Sequence, residues 1–198
     1  MMENHQPAAE LVACQQILAA DQSVFSVQRV LLPPEAGVIG SGELLRLYLQ
    51  HVERATGRLV RVAELPDGVE FRLTGRGPAL IRFARPETLR ENGADVTRLW
   101  IAGGLLVQPR ECDRGQLSFM VEPTGGGLLL TTQLADYCPL LLGSRQPSFL
   151  HKWLYRLTQA YIHKAVTVRF LRLVYRQRTG RRLGRQTVAI ALRSGEKI

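Results

Sequence analysis

The chain has 198 residues, of which 45% are hydrophobic and 22% are charged, and it carries a formal net charge of +9. This composition is typical of a globular domain with a sizeable core, and it excludes a disordered or collagen-like chain. Lys and Arg interrupt the most apolar segment, residues 149–175, every few positions, which excludes a membrane-spanning helix there.

Cysteine and histidine usage gives no sign of a metal site. Cys14, Cys112 and Cys138 are odd in number and widely spaced, which predicts reduced thiols rather than a disulfide framework or a zinc site. The four histidines also lack metal-ligand spacing. The first 22 residues contain no basic segment followed by an apolar run and a cleavage site. We therefore expect a cytoplasmic protein without a metal or cofactor.

The first third of the chain is predicted to contain two helices and one strand. Apolar residues recur at helical spacing in Ala8–Ala20, which predicts a short N-terminal helix. Ser23–Leu32 is rich in β-branched and aromatic residues and stops before two prolines, as a strand would. Ser41 can cap a second helix, Gly42–Thr56, which Gly57 ends.

The middle of the chain is predicted to be a meander of short strands. The pair Asp67-Gly68 favours a tight turn because glycine accepts positive φ, and glycines 125–127 favour another hairpin. Strands and helices do not alternate, which disfavours a parallel sheet. The six predicted strands are Arg58–Leu65, Val69–Thr74, Ala79–Arg85, Val96–Gln108, Gln116–Glu122 and Leu128–Ala135.

From residue 149 the hydrophobic period changes from that of a strand to that of a helix. Apolar residues three and four apart predict one amphipathic helix from residue 149 to about residue 175. The arginine-rich residues that follow are predicted to form either a basic tail or, through residues 187–192, an edge strand. The predicted helix packs across the sheet through Trp153, Leu157, Tyr161 and Val168.

Over residues 23–176, the predicted order of strand, helical connection, meander and long C-terminal helix resembles the START-like superfamily. This superfamily includes polyketide-cyclase-like, birch-pollen-allergen-like and lipid-transfer proteins. The resemblance implies an α+β helix-grip fold, in which an antiparallel meandering sheet holds the C-terminal helix and encloses an apolar cavity. A cystatin-like cone, with one helix lying across a curved sheet, is the alternative. The expected parts are an N-terminal helical segment (1–22), a single α+β domain (23–176) and the basic segment (177–198).

Alternation along the predicted strands separates an inward face from an outward face, and the outward face carries Arg61, Arg72, Arg82 and Arg98. The inward side chains are Val69, Phe71, Leu73, Ile81, Phe83, Leu99, Ile101, Leu117, Phe119, Val121, Leu128, Leu130 and Leu134. The outward face is expected to be solvated, with an anion-recognising patch of arginines as the alternative. The cavity that the resemblance implies would receive an apolar or amphipathic small molecule and needs no catalytic residue. Its predicted lining is Phe71, Phe83, Phe119, Leu130, Tyr137, Trp153 and Tyr161.

Few residues suggest catalysis. His163 has no acidic residue one helical turn away that could orient it as a general base. Asp136 and Tyr137 lie where the last strand leaves the sheet, and turn formation and packing account for both. These three residues define the enzymatic alternative, but the sequence predicts a binding protein rather than an enzyme.

The net charge is concentrated at the C-terminus. Residues 169–198 contain nine Lys and Arg against one Glu, whereas residues 1–168 contain seventeen basic and sixteen acidic residues. Such a concentration of positive charge attracts RNA or an anionic membrane surface. The alternative function is therefore that of a nucleic-acid- or ribosome-associated accessory protein. It would act through Arg178, Arg181, Arg182 and Arg185.

Overall fold

A computed structural model describes residues 11–108, 115–140 and 161–198. These residues contain two α-helices, α1 (Ser41–Ala55) and α2 (Tyr161–Thr179), and a short 3-10 helix, Pro34–Ala36. They also contain eleven strands: β1 (Val12–Leu18), β2 (Val24–Leu32), β3 (Val60–Leu65), β4 (Gly68–Leu73), β5 (Ala79–Ala84), β6 (Glu87–Glu91), β7 (Ala94–Gly103), β8 (Gln116–Thr124), β9 (Gly127–Tyr137), β10 (Thr187–Ala189) and β11 (Glu196–Lys197).

The strands form one largely antiparallel sheet in the order β10-β1-β2-β9-β8-β7-β5-β4-β3. Strand β6 pairs with β7, and β11 pairs with β1. Among the described strands, the single parallel pair is β1 with β10. Consecutive antiparallel hairpins join β3 to β4, β4 to β5, and β7 through β8 to β9. The prediction of an α+β protein built on an antiparallel meander is therefore confirmed.

Both helices pack on one face of the sheet, where an aromatic cluster joins them. The ring of Tyr48 on α1 lies 5.0 Å from that of Phe119 on β8 and 5.2 Å from that of Phe170 on α2. Two helices on one face match the helix-grip arrangement and not a cone with a single helix. Residues 149–160 of the predicted C-terminal helix lie outside the described residues, and α2 is described from Tyr161 onward.

The first turn of α1 is fixed to the sheet by polar contacts. The backbone N–H of Ser41 donates to Asp95 Oδ2 at 2.7 Å, and the Ser41 and Thr97 hydroxyl oxygens lie 2.7 Å apart. A carboxylate at this end satisfies an N–H that has no partner within the helix, and it interacts favourably with the helix dipole. These contacts set where the rest of α1, including Tyr48 and Val52, lies over the strands.

The strand alternation read from the sequence assigns the faces correctly. The inward residues from β4 to β9 are buried or half-buried, apart from Leu73, which is 36% exposed at the end of β4. The outward arginines form ion pairs with nearby glutamates, which favours a solvated outer face over an anion-recognising patch. These pairs are Arg61–Glu53, Arg72–Glu70, Arg82–Glu70 and Arg98–Glu91.

The predicted N-terminal helix is wrong, because Val12–Leu18 forms strand β1. This strand pairs with β2 along one edge and with β10 and β11 along the other. Val12 is buried in the main core, whereas Ile17 packs in a small second cluster with Phe25 and Val27. The neighbouring strand β2 thus completes one edge of β1, and strands from the far end of the chain complete the other edge.

Two details of the meander differ from the prediction. The predicted polar loop before β7 contains strand β6, and Asn92 and Gly93 form its turn with φ of 50° and 84°. In the Pro66-Asp67 turn, Gly68 is the first residue of β4 and does not have positive φ. Glycine is needed there for space, because a Cβ on Gly68 would lie 2.0 Å from the Phe83 carbonyl oxygen.

The C-terminal segment pairs with the outer edge of β1, as the edge-strand prediction requires. Strands from all three predicted parts of the chain therefore lie in the same sheet.

Cys138 is disulfide-bonded, whereas Cys14 is a buried free thiol. The expectation that all three cysteines are reduced is therefore wrong for Cys138.

Candidate ligand-binding pocket

A pocket of about 250 Å³ lies between the sheet and the two helices. Its wall includes residues from the second half of α1 and from the first described turns of α2. The beginning of β5 and the end of β9 also contribute to it. Its described lining is largely apolar: Gln16, Tyr48, Val52, Thr56, Val60, Phe71, Leu80, Ile81, Leu106, Leu134, Tyr137, His163 and Val166.

The wall of this pocket has a buried part and a partly exposed part. Tyr48, Val52 and Phe71 are buried, whereas Val60 and Leu80 are partly exposed. None of the described lining residues is an acid, a lysine or an arginine. A charged ligand group would therefore lose its hydration without gaining an opposite charge from these residues, which is costly.

Protein groups already engage two of the polar side chains at the wall. The Tyr137 hydroxyl donates to the Leu106 carbonyl oxygen at 2.7 Å. The Thr56 hydroxyl donates to the Val52 carbonyl oxygen at 2.8 Å and accepts from the Val60 N–H at 3.2 Å. Burial raises the pKa of Tyr137, so its hydroxyl stays protonated at neutral pH.

Two further polar side chains, Tyr48 and Gln16, are buried at the pocket wall. Burial raises the pKa of Tyr48 to about 12, and hydrogen bonding to Thr167 opposes this shift. The Tyr48 phenol is therefore neutral at physiological pH. The buried Gln16 amide adds a second uncharged polar group to the wall.

His163 lines the pocket from the first turn of the described part of α2. Its Nε2 atom is buried and has no hydrogen-bond partner among the described residues. Burial lowers the pKa of His163 to about 4. The side chain is therefore a neutral imidazole at physiological pH, with one nitrogen that donates and one that accepts.

The structure brings some of the sequence-predicted lining residues to the pocket and places others in the core. Phe71 and Tyr137 line it. Phe83 packs against Phe71 with ring centroids 5.2 Å apart, and Phe119 and Leu130 are fully buried in the main core. Trp153 and the side chain of Tyr161 lie outside the described residues.

Several lining residues were not predicted. Tyr48 and Val52 follow the apolar stripe of α1, and this stripe could have identified them as inward-facing. Gln16 was missed because β1 was taken for a helix. The sequence did not predict His163 as a lining residue, although the structure places it at the wall of the pocket.

The three residues of the enzymatic alternative do not form one site. Tyr137 and His163 both line the pocket, but Asp136 is not among the described lining residues. Asp136 instead accepts from Arg193 Nη1 at 2.9 Å. The described lining residues include no carboxylate that faces His163, so they do not supply the group that would orient a general base.

The arginines predicted to bind anions differ in their surroundings. Arg178 Nη2 lies 2.5 Å from Glu43 Oε1, and Arg181 Nη1 lies 3.8 Å from Glu35 Oε1. Arg182 and Arg185 are exposed. Arg185 also lines a surface groove of about 350 Å³ between α2 and β10, whose described basic residues are Lys164, Arg169, Arg172 and Arg185.

The described residues contain no cluster of three or more His, Cys, Asp or Glu side chains that could hold a metal ion. Neither helix, over its described length, is both long and apolar enough to cross a membrane.

Comparison with known proteins leaves the function to be argued from these residues. No protein-family model matches the chain, and no curated protein is similar to it in sequence. The chain is similar to a solved structure, CalU16 from Micromonospora echinospora, with a TM-score of 0.30 and 11% sequence identity. The similarity covers 87% of this chain and 98% of CalU16. A similarity at this level carries no argument about ligand or activity.

Proposed function

We propose that the protein binds an apolar or amphipathic small molecule in the pocket between the sheet and the helices. The observation that supports this most directly is the pocket of about 250 Å³ itself, with its predominantly apolar wall. An apolar wall of this extent is unfavourably hydrated when the pocket holds only water, so a ligand that displaces the water is favoured. Transfer of a ligand's apolar surface from water into the pocket supplies the binding energy.

The pocket favours binding over catalysis. General acid–base chemistry needs a titratable group held near its operating pKa by a partner. The pKa of His163 instead lies well below neutrality, and the pKa values of Tyr48 and Tyr137 lie well above it. These groups keep a constant protonation state near pH 7, which suits hydrogen bonding to a ligand better than proton transfer.

The proposal is tested by titrating the protein with naphthalene-based fluorescent probes and by filling the pocket. We expect saturable binding to the wild-type protein. Val52→Trp should weaken it at least tenfold, because the larger side chain occupies the space of the probe. Val38→Trp is the matched control, since Val38 is 85% exposed and lies outside the described pocket lining.

Thermal denaturation of both variants separates loss of the pocket from loss of the fold. Equal probe affinity in the wild type, Val52→Trp and Val38→Trp would contradict binding in this pocket. Absence of saturable binding to the wild type would contradict the proposed function.

A second candidate function is the association of the basic surface groove with a phosphate-bearing polymer such as RNA. The observation that favours it is the convergence of Lys164, Arg169, Arg172 and Arg185 on one groove. Arg172 Nη2 donates to the backbone carbonyl oxygens of Arg185 and Gln186, which attaches the C-terminal segment to α2. The groove is thus built from two segments that a side-chain contact holds together.

A further inference from the structure

The imidazole of His163 is the exception in a pocket wall whose other polar groups are engaged. Within the part of the chain that the structure describes, its Nε2 atom is buried without a partner, whereas Tyr137, Thr56 and Tyr48 all interact with neighbouring protein groups. A buried polar group that lacks a hydrogen bond has lost its hydration without replacement, which destabilises the folded protein. Such a group at the wall of a pocket indicates a role that only a bound molecule fulfils.

The polar character of the wall limits what that molecule can be. The described lining residues include no cation to pair with a carboxylate or phosphate, and no carboxylate to pair with an amine. A charged headgroup in this space would stay unpaired among them. A neutral hydroxyl or carbonyl, in contrast, can bond to an uncharged imidazole in one of its two tautomers.

Building on the proposed function, we infer that the pocket selects an uncharged, largely apolar molecule that bears a hydroxyl or carbonyl group, and that the imidazole of His163 hydrogen-bonds this group. Apolar contacts with residues such as Phe71 and Leu134 hold the body of the molecule. His163 thus acts as a specificity-determining residue, which orients the ligand and discriminates against a hydrocarbon of the same shape.

Two bicyclic probes of matched size test this inference. They are 2-naphthol, which carries a hydroxyl group, and 2-methylnaphthalene, which carries a methyl group in its place. The Kd ratio of the two probes is measured for the wild type, His163→Leu and His163→Gln at pH 7.5, by fluorescence or calorimetry. Comparison of ratios between proteins cancels the different hydration of the two probes.

We expect the preference for 2-naphthol to fall about five- to tenfold in His163→Leu, with 2-methylnaphthalene bound as well as before. His163→Gln, which keeps a donor and an acceptor, should retain part of the preference. In the wild type, the imidazole ¹⁵N signals of His163 should shift with 2-naphthol and not with 2-methylnaphthalene. A 2-naphthoate anion should bind more weakly than 2-naphthol.

The results of these measurements show whether the role of His163 or the proposed function itself is wrong. Unchanged Kd ratios in both variants would overturn the role of His163 while leaving the pocket a binding site. Stronger binding of 2-naphthoate than of 2-naphthol would overturn the selection for uncharged ligands. Failure of either neutral probe to bind the wild type would overturn the proposed function itself. If His163→Leu does not fold, the His163→Gln ratio and the ¹⁵N shifts decide.

Discussion

The imidazole of His163, which is half-buried and has a buried Nε2 atom, makes the stability of the fold depend on pH. Its pKa is about 4 in the folded protein against 6.5 for the free side chain, because burial disfavours the charged form. Between these values the unfolded chain binds a proton that the folded chain does not, so stability falls as pH falls. We expect a loss of about 2–3 kcal/mol from pH 7 to pH 4 through this group, measured by urea denaturation at a series of pH values.

His163→Leu is the control, since it removes the titrating group and retains an apolar side chain of similar size. Its free energy of unfolding should change less over the same range than that of the wild type. His51 contributes in the same direction, because burial is the largest cause that lowers its pKa, with Arg169 and Arg54 adding to the effect. Identical pH profiles for the wild type and His163→Leu would contradict the assignment.

Individual residues also show how far strand alternation predicts the pocket. Alternation correctly placed Phe71, Phe119 and Leu130 on the inner face. Alternation could not show that Phe71 lines the pocket whereas Phe119 lies in the closely packed core, because both residues occupy inward-facing positions of their strands. That difference depends on how far each strand position lies from α1 and α2, which is a property of helix packing and not of local sequence.

Strand β1 shows the corresponding limit for a whole element. Its apolar residues Leu11, Val12, Cys14, Ile17 and Leu18 satisfy a helical spacing, which is why the sequence favoured a helix. The strand is instead stabilised by hydrogen bonds to β2, which follows it in the chain, and to β10 and β11, which lie at the end of the chain. Long-range pairing of this kind overrides local preference. The apolar stripe of α1, in contrast, predicted that helix to within one residue at each end. The prediction that Ser41 caps α1 is wrong, because Ser41 is its first helical residue and the carboxylate of Asp95 on β7 accepts from the Ser41 N–H.

The C-terminal strands are expected to stabilise the sheet. Deletion of residues 187–198 removes β10, β11 and the contact of Ile190 with the second apolar cluster. It also leaves the edge of β1 unpaired, and such edges associate with other chains. We expect the melting temperature to fall by about 5–10 °C and the truncated protein to aggregate in a concentration-dependent way, as measured by calorimetry and light scattering.

A charge variant separates this structural role from an electrostatic one. Arg182→Gln/Arg185→Gln removes two exposed cations and leaves every strand in place. Its melting temperature should stay within about 2 °C of the wild type, since exposed charges contribute little to stability. A truncated protein that melts like the full chain would show that β10 and β11 do not stabilise the sheet.

At the scale of the whole molecule, the disulfide at Cys138 bears on where the protein functions. Disulfides persist in oxidising compartments and are uncommon in the cytosol. The sequence predicted a cytoplasmic protein partly because its cysteines are few and widely spaced. Such spacing does not reveal a single disulfide, whose formation depends on the fold bringing two thiols together. The cytoplasmic location therefore stays a prediction.

The charge distribution of the whole molecule leads to the last prediction, which concerns the basic groove. Part of the C-terminal charge is compensated within the fold, since Arg178, Arg181 and Arg193 pair with acidic side chains. We expect single-stranded RNA to bind at low salt chiefly through the four basic residues of the groove. With about four phosphate contacts, the affinity should fall roughly 50-fold between 50 and 200 mM salt.

The matched variants for this measurement are Arg169→Gln/Arg185→Gln in the groove and Arg61→Gln/Arg82→Gln on the outer face of the sheet. Both lower the net charge by two, so a difference between them reports position rather than total charge. We expect the groove variant to weaken RNA binding at least tenfold and to flatten its salt dependence, measured by fluorescence anisotropy. Equal effects of the two variants would show that RNA responds only to the overall positive charge. Stronger binding to anionic vesicles than to RNA would instead identify a membrane surface as the partner of the groove.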